Sequence, residues 1–294
     1  MDQKRKLPFR GVCTALITPF ADGGIDYGAL DELIETQIEA GVPALCICGT
    51  TGEAVTLTEG ERLHLVSHAI RRIGGRAQAV VGVGSPSTAR SVEYAAYAAA
   101  QGADALLVTT PYYNKGTHDG ITAHFHAVAD ATDLPCIVYN VPARTGVDLT
   151  VSHLKEIAVH PRITAVKEAS AGADRAVDIL ADLGDTLHYL AGNDSQFVPT
   201  LALGGSGVVS VLSNLLPAEW CEIWQLWQEG ETAEAAKRQL ALHPLIRLLF
   251  SETSPAPIKC ALCLAGVCKN ELRLPLSPVT QKTEDALRRR MGLL

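Results

Sequence analysis

From Gly11 onward the chain repeats one unit: a short β-branched or otherwise apolar run, a turn of Gly, Pro or Thr, then a longer stretch of helical periodicity. The apolar runs fall at 12–17, 44–48, 78–83, 105–108, 136–139, 163–166, 188–191 and 208–211, eight in all. Helical periodicity fills 27–40, 59–73, 88–101, 117–131, 151–158 and 173–183, with shorter helices beginning at Ser195 and Pro217. Strands that alternate with helices pair in parallel, and runs this apolar must be covered on both faces. Eight such units in about 220 residues match a closed (β/α)8 barrel, the TIM barrel. The competing architecture is a doubly wound open sheet. Against it, no G-x-G-x-x-G follows the first run, Gly82-Val83-Gly84 lacks the later glycine, and no Walker A sequence occurs.

After about residue 229 the strands stop. Residues 231–250, 255–267 and 280–290 are helical in character, with Pro244, Pro255, Pro257, Pro275 and Pro278 expected at breaks. The expected division is therefore a catalytic barrel over 1–229 and a C-terminal helical region over 230–294.

Composition limits what such a barrel can meet. A net charge of −7 gives no basic footprint, which excludes nucleic acid and an anionic membrane as partners. Residues 1–10 are basic but lack the apolar core of a secretory signal, and the apolar stretch 201–216 is interrupted by Gly204, Gly205, Gly207 and Asn214, so no membrane span is expected. The eight cysteines, several inside apolar runs, fit small buried hydrophobes in a reducing compartment, and the protein is expected in the cytoplasm. Cys260 and Cys263 with Cys268 lack a nearby His or Asp to complete a metal site, and Cys46 and Cys48 are expected on one strand face. The nine histidines, His64, His68, His124 and His126 among them, lie mostly on helical segments, and no metal is expected.

In a barrel of this kind, chemistry sits at the carboxyl ends of the strands. The run Ile163-Thr164-Ala165-Val166 ends in Lys167. An ammonium in apolar surroundings is costly to keep charged, and a neutral amine is what attack on a carbonyl requires. The other lysines are terminal (Lys4, Lys6), in a loop (Lys115) or on helices (Lys155, Lys237, Lys282), while Lys259 and Lys269 flank the apolar helix of the C-terminal region, away from the barrel mouth. An amine nucleophile points to an imine with a keto acid, and making and breaking that imine needs hydroxyl proton shuttles, for which Tyr139, Tyr113 and Thr50 qualify. A substrate carboxylate would want the donors of the Gly49-Thr50-Thr51-Gly52 turn and the guanidinium of Arg144.

The ordered set Gly-Thr-Thr-Gly-Glu (49–53), Pro-Tyr-Tyr-Asn (111–114), Tyr-Asn-Val-Pro-Ala-Arg-Thr-Gly (139–146), Val-Lys-Glu-Ala (166–169) and Gly-Asn-Asp (192–194) closely resembles the dihydrodipicolinate synthase and N-acetylneuraminate lyase family of class I pyruvate aldolases. The likeness runs from Gly11 to Ser254-Pro-Ala-Pro-Ile-Lys259. It implies that Lys167 forms a Schiff base with pyruvate, that Thr50 and Thr51 meet the pyruvate carboxylate, and that Tyr139 relays protons through Thr50 to a Tyr113 lent by the neighbouring subunit. Gly192 and Val209 would line the pocket with backbone groups, and Arg144 would hold the carboxylate of the second substrate. The Asn-Val-Pro-Ala-Arg-Thr-Gly run and Thr50 together match the synthase branch, which implies condensation of pyruvate with L-aspartate 4-semialdehyde to 4-hydroxy-tetrahydrodipicolinate, toward diaminopimelate and lysine. The resemblance implies no cofactor and a homotetramer built as a dimer of dimers. At the positions of the family's lysine-effector pocket stand Glu59, Pro86 and Arg90, which implies weak or absent feedback by lysine. Two other readings remain: a sibling aldolase or dehydratase acting on a sugar-derived 2-keto acid, and a keto-acid-binding regulatory protein.

Overall fold

The structure, a computed structural model, describes Arg5, Leu7, residues 9–170 and residues 172–293. The expectations for residues 1–10, Lys4 and Lys6 included, thus fall largely outside the described residues. Eight strands make one closed barrel: β1 (Gly11–Ala15), β2 (Ala44–Ile47), β3 (Gln78–Gly82), β4 (Ala105–Thr109), β5 (Cys136–Asn140), β6 (Ile163–Glu168), β7 (His188–Ala191) and β8 (Gly207–Ser210). The strands follow one another around it in chain order, as a chain of successive βα units requires. The expected (β/α)8 architecture is the one observed.

By compactness the chain falls into two units. One holds Gln78–Val209 with the described residues up to Gly11, the other Val12–Ala77 with the described residues from Ser210 onward.

In the first unit, β3 to β8 pair in parallel, and β4 to β7 consist almost wholly of buried residues. Helices Thr88–Ala100, His118–Asp130, Val151–Ile157 and Ala173–Leu183 fill the crossovers. Ser87, Thr117 and Thr150 cap the first three, each side-chain oxygen accepting from a backbone N–H of the first turn. Before the helix Phe197–Ala202 comes a 3-10 turn at Asp194–Gln196, where the sequence predicts a single helix from Ser195.

In the second unit, β1 pairs with β2, and Thr14 Oγ1 donates to Gln37 Oε1 (2.6 Å) on helix Tyr27–Glu39. Gln37 Nε2 in turn donates to Ser213 O at 3.0 Å, and Asn214 satisfies both Ile17 N and Ala15 O. These buried polar links fix β1 against its neighbours at the cost of very little exposed surface. Helix Glu59–Ile73 opens on a capping box between Thr58 and Glu61 and closes on Gly74 at φ 58°.

Two local expectations are corrected, and one element was missed. Pro244 does not break the C-terminal region but lies inside helix Thr232–Leu249. The carbonyl that a proline leaves unpaired belongs to the residue four before it, here Leu240, which is exposed and can be hydrated. Cys48 does not share a strand face with Cys46, because β2 stops at Ile47 and Cys48 takes φ 56°. A small antiparallel ribbon, Phe20–Ala21 with Gly24–Ile25, was not anticipated. Its turn is Asp22-Gly23, both at positive φ, and this dipeptide is a hairpin signal that the short flanking strands conceal.

Candidate active site

β6 extends through Glu168, so Lys167 lies inside the strand, one residue before its carboxyl end. Alternation puts Lys167 and Glu168 on opposite faces of the sheet. In the parallel register Lys167 stands opposite Tyr139 of β5 and Leu190 of β7. Lys167 is 6% exposed, and its Nζ lies 4.0 Å from the centroid of the Tyr139 ring. The ring face favours a cation by its quadrupole and offers no hydrogen-bond acceptor that would tie up the amine. Tyr139 is itself buried, and its carbonyl is held by both the N–H and the hydroxyl of Thr110 at 3.1 Å. The strand pair thus brings together two of the residues singled out in the sequence.

The remaining first-unit residues take different settings. Tyr113, at φ 71° in the segment after β4, is 92% exposed, so its ring is turned to the outside of the chain. Arg144 is exposed on the short helix Pro142–Thr145, which follows β5 and ends on Gly146 at φ 69°. Val209 is buried in β8. Gly192 must be glycine: a Cβ there would lie 2.6 Å from Ala169 Cβ and 2.8 Å from Glu168 O. Its N–H already donates to Glu168 O at 2.7 Å, which leaves its carbonyl as the group it can offer a ligand. Arg90, on helix Thr88–Ala100, pairs with Glu93 at 2.8 Å on the surface.

Behind Lys167 lies a network that sequence reasoning missed. Glu168 is 1% exposed, and its carboxylate accepts from Asn140 Nδ2 (2.9 and 3.1 Å), from Ser170 N (2.7 Å) and from Arg175 Nε (3.3 Å). Asn140 Nδ2 also donates to Asp148 (2.8 Å), and Asn140 Oδ1 accepts from Leu149 N (3.2 Å). Arg175 reaches Asp148 (3.4 Å) and the Leu149 carbonyl. The segment that bears Arg144 is therefore tied at both ends to the strands that bear Tyr139 and Lys167. The signal was present in Tyr-Asn and Lys-Glu, polar residues on the outward face of core strands, where an unpartnered amide or carboxylate would be costly.

In the second unit the stretch 48–57 after β2 carries the other predicted residues. Thr51 is buried and Thr50 half-buried. Gly52 O accepts from Thr18 Oγ1 at 2.7 Å, and Glu53 N donates to Thr50 O at 3.1 Å, closing a turn around both threonines. Glu53, the last residue of the motif, is buried and ion-paired with Lys259. This sharpens the sequence-based placement of Lys259: it lies inside helix Ala256–Leu264, is 0% exposed, and reaches Glu53 at the end of the Gly-Thr-Thr-Gly-Glu motif. Burial pushes its ammonium below the usual lysine value, and Glu53 opposes that. Burial also raises the Cys48 thiol to about 11, which makes it a packing group and a poor nucleophile at neutral pH.

Among the described residues no group of three or more His, Cys, Asp or Glu is arranged to hold a metal ion, and no helix is long and apolar enough to cross a membrane.

A closed (β/α)8 barrel with a buried lysine beside a tyrosine at the carboxyl end of its strands defines a class, the barrel proteins that carry their chemistry at that end. Within that class, a model of the Dihydrodipicolinate synthetase family matches residues 8–292, and the chain belongs to that family. It is 41% identical over 283 residues to a 4-hydroxy-tetrahydrodipicolinate synthase of Magnetococcus marinus, covering 96% of this chain and 97% of that one. A synthase of the same name from Aquifex aeolicus is also 41% identical, with 95% and 96% covered. The crystal structure of dihydrodipicolinate synthase from Aquifex aeolicus superposes with a TM-score of 0.94 at 40% identity, covering 97% of both chains.

Proposed function

We propose that this chain is a Schiff-base-forming lyase that condenses pyruvate with L-aspartate 4-semialdehyde to 4-hydroxy-tetrahydrodipicolinate, in the route to diaminopimelate and lysine. The observation that carries it is Lys167, buried in a core strand with its Nζ 4.0 Å from the Tyr139 ring, in a chain of this family.

In this mechanism the neutral Lys167 amine adds to the ketone carbon of pyruvate, and loss of water leaves an imine. The imine gives up a methyl proton to become an enamine, whose carbon attacks the aldehyde. The amine of the new intermediate then attacks the imine carbon, closes the ring and releases Lys167. Tyr139, Thr50 and Tyr113 move the protons, help that is typically worth about 10²–10⁴-fold. Thr50 and Thr51 take the pyruvate carboxylate, Arg144 takes that of the semialdehyde as a guanidinium can, and Gly192 and Val209 line the pocket. Residues 1–229 act as the catalytic barrel and 230–294 as a helical region. The working assembly is a homotetramer, a dimer of dimers in which Tyr113 serves the neighbouring subunit, and the enzyme works in the cytoplasm.

Borohydride reduction in the presence of pyruvate, followed by peptide mass analysis, tests the chemistry. A single adduct on Lys167 is expected, and an adduct elsewhere, or none, overturns the mechanism. A coupled assay with aspartate semialdehyde then tests the second substrate: turnover with a sugar-derived keto acid alone would reject it.

A further inference from the structure

We propose that the buried Lys259–Glu53 ion pair positions the turn that carries Thr50 and Thr51, and through it sets the affinity for the carboxylate of pyruvate. The inference rests on the reading of those two threonines as pyruvate-binding.

The turn is held in a conformation that its sequence does not favour. Cys48 and Glu53, which bracket Gly49-Thr50-Thr51-Gly52, both take left-handed backbone angles, φ 56° and 51°, although neither is glycine. Side-chain-bearing residues stay there only when the surroundings over-determine them. At the Cys48 side the restraint is burial, and just before Glu53 the Gly52 carbonyl is held by Thr18 Oγ1 at 2.7 Å. At the Glu53 side it is the carboxylate: one oxygen meets Lys259 Nζ, and the other accepts from Arg273 N at 3.1 Å.

Both partners of Glu53 are themselves immobilised. Lys259 projects from helix Ala256–Leu264, donates to Glu271 O at 2.9 Å and lies 4.0 Å from the centroid of the Phe20 ring. The Arg273 guanidinium is 4.4 Å from the same ring and is pinned by the Glu61 carboxylate, Thr56 O (3.2 Å) and Gly23 O (3.1 Å). Phe20 is fully buried, with both cations against its ring. Removing water from an ammonium and a carboxylate is costly, and apolar residues of similar volume often serve stability as well or better. An apolar pair could fill this space but, having no directional bond, could not fix the side chain at position 53, and with it the φ that aims the preceding threonines. A helix far along the chain thereby sets the geometry of a substrate-binding turn.

The test is kinetic. The double variant Glu53→Gln with Lys259→Met removes both charges and leaves none buried alone. It is expected to melt close to the parent, to raise the pyruvate KM about tenfold or more, and to leave the semialdehyde KM within about twofold. A folded double variant with the parental pyruvate KM, or with equal rises for both substrates, overturns the proposal. Should the double variant not fold, Glu53→Asp decides: it keeps both charges but shortens the tether by one methylene, and a parental pyruvate KM in that variant overturns the proposal as well. Thr51→Val separates the two layers of inference. If it leaves the pyruvate KM unchanged, the pyruvate-binding reading of the turn falls; if it raises that KM while the charge variants do not, only the role of Lys259 and Glu53 falls.

Discussion

His124 is buried on helix His118–Asp130, with Nδ1 3.0 Å from Thr88 Oγ1, the Phe125 ring edge-on at 5.7 Å, and Nε2 without a hydrogen-bond partner among the described residues. Burial pushes its pKa from 6.5 down to about 4. The unfolded chain therefore binds a proton between pH 6.5 and 4 that the folded chain refuses, so this residue costs stability as the pH falls through that window. The shift corresponds to about 3 kcal/mol when complete. Urea unfolding at pH 7 and pH 4 should show His124→Phe losing less stability on acidification than the parent; equal losses would contradict the assignment. At the same scale, Lys167 was readable in the sequence because a lysine at the end of an apolar strand has few explanations. Lys259 was not, because it sits on a helix where an amphipathic stem is ordinary, and its partner Glu53 lies far away along the chain.

All eight strands were legible in the sequence as apolar runs, because a parallel barrel buries both faces and leaves no alternation to confuse. The ends were less so: β6 runs on through Lys167 and Glu168, two charged residues that break the apolar pattern without ending the ladder. What keeps Glu168 there is Arg175 on helix Ala173–Leu183, together with Asn140 and Ser170 N. Arg175→Ala would leave that carboxylate, 1% exposed, without its cation, and a loss of about 3–5 kcal/mol is expected in urea unfolding. Glu168→Gln, which keeps the shape and discards the charge, should cost less, about 1–2 kcal/mol. Because Arg175 also holds Asp148 and the Leu149 carbonyl, Arg175→Ala should raise the KM for the semialdehyde, the substrate assigned to Arg144, more than that for pyruvate. Equal changes in the two constants would mean that the network supports the fold and nothing more.

For the molecule as a whole, the (β/α)8 architecture followed from the count and order of strands, whereas assembly leaves only an indirect mark on a single chain. Tyr113 is 92% exposed on left-handed backbone, a setting that suits the catalytic role proposed for it only if a second chain receives it. The proposed exchange can be tested by complementation. Lys167→Ala lacks the nucleophile but keeps Tyr113, and Tyr113→Phe keeps the nucleophile but lacks the hydroxyl. Alone, the first should be inactive, and the second reduced by about 10²-fold or more if the hydroxyl carries protons. If Tyr113 crosses between subunits, a mixed dimer regains one complete site, with Lys167 from the Tyr113→Phe chain and Tyr113 from the Lys167→Ala chain. With random pairing half the dimers are mixed and each has one working site, so co-expressed chains should recover about a quarter of the parental rate. If Tyr113 instead serves its own chain, every site lacks one group or the other, and the mixture will show no more than the average of the two variants measured separately.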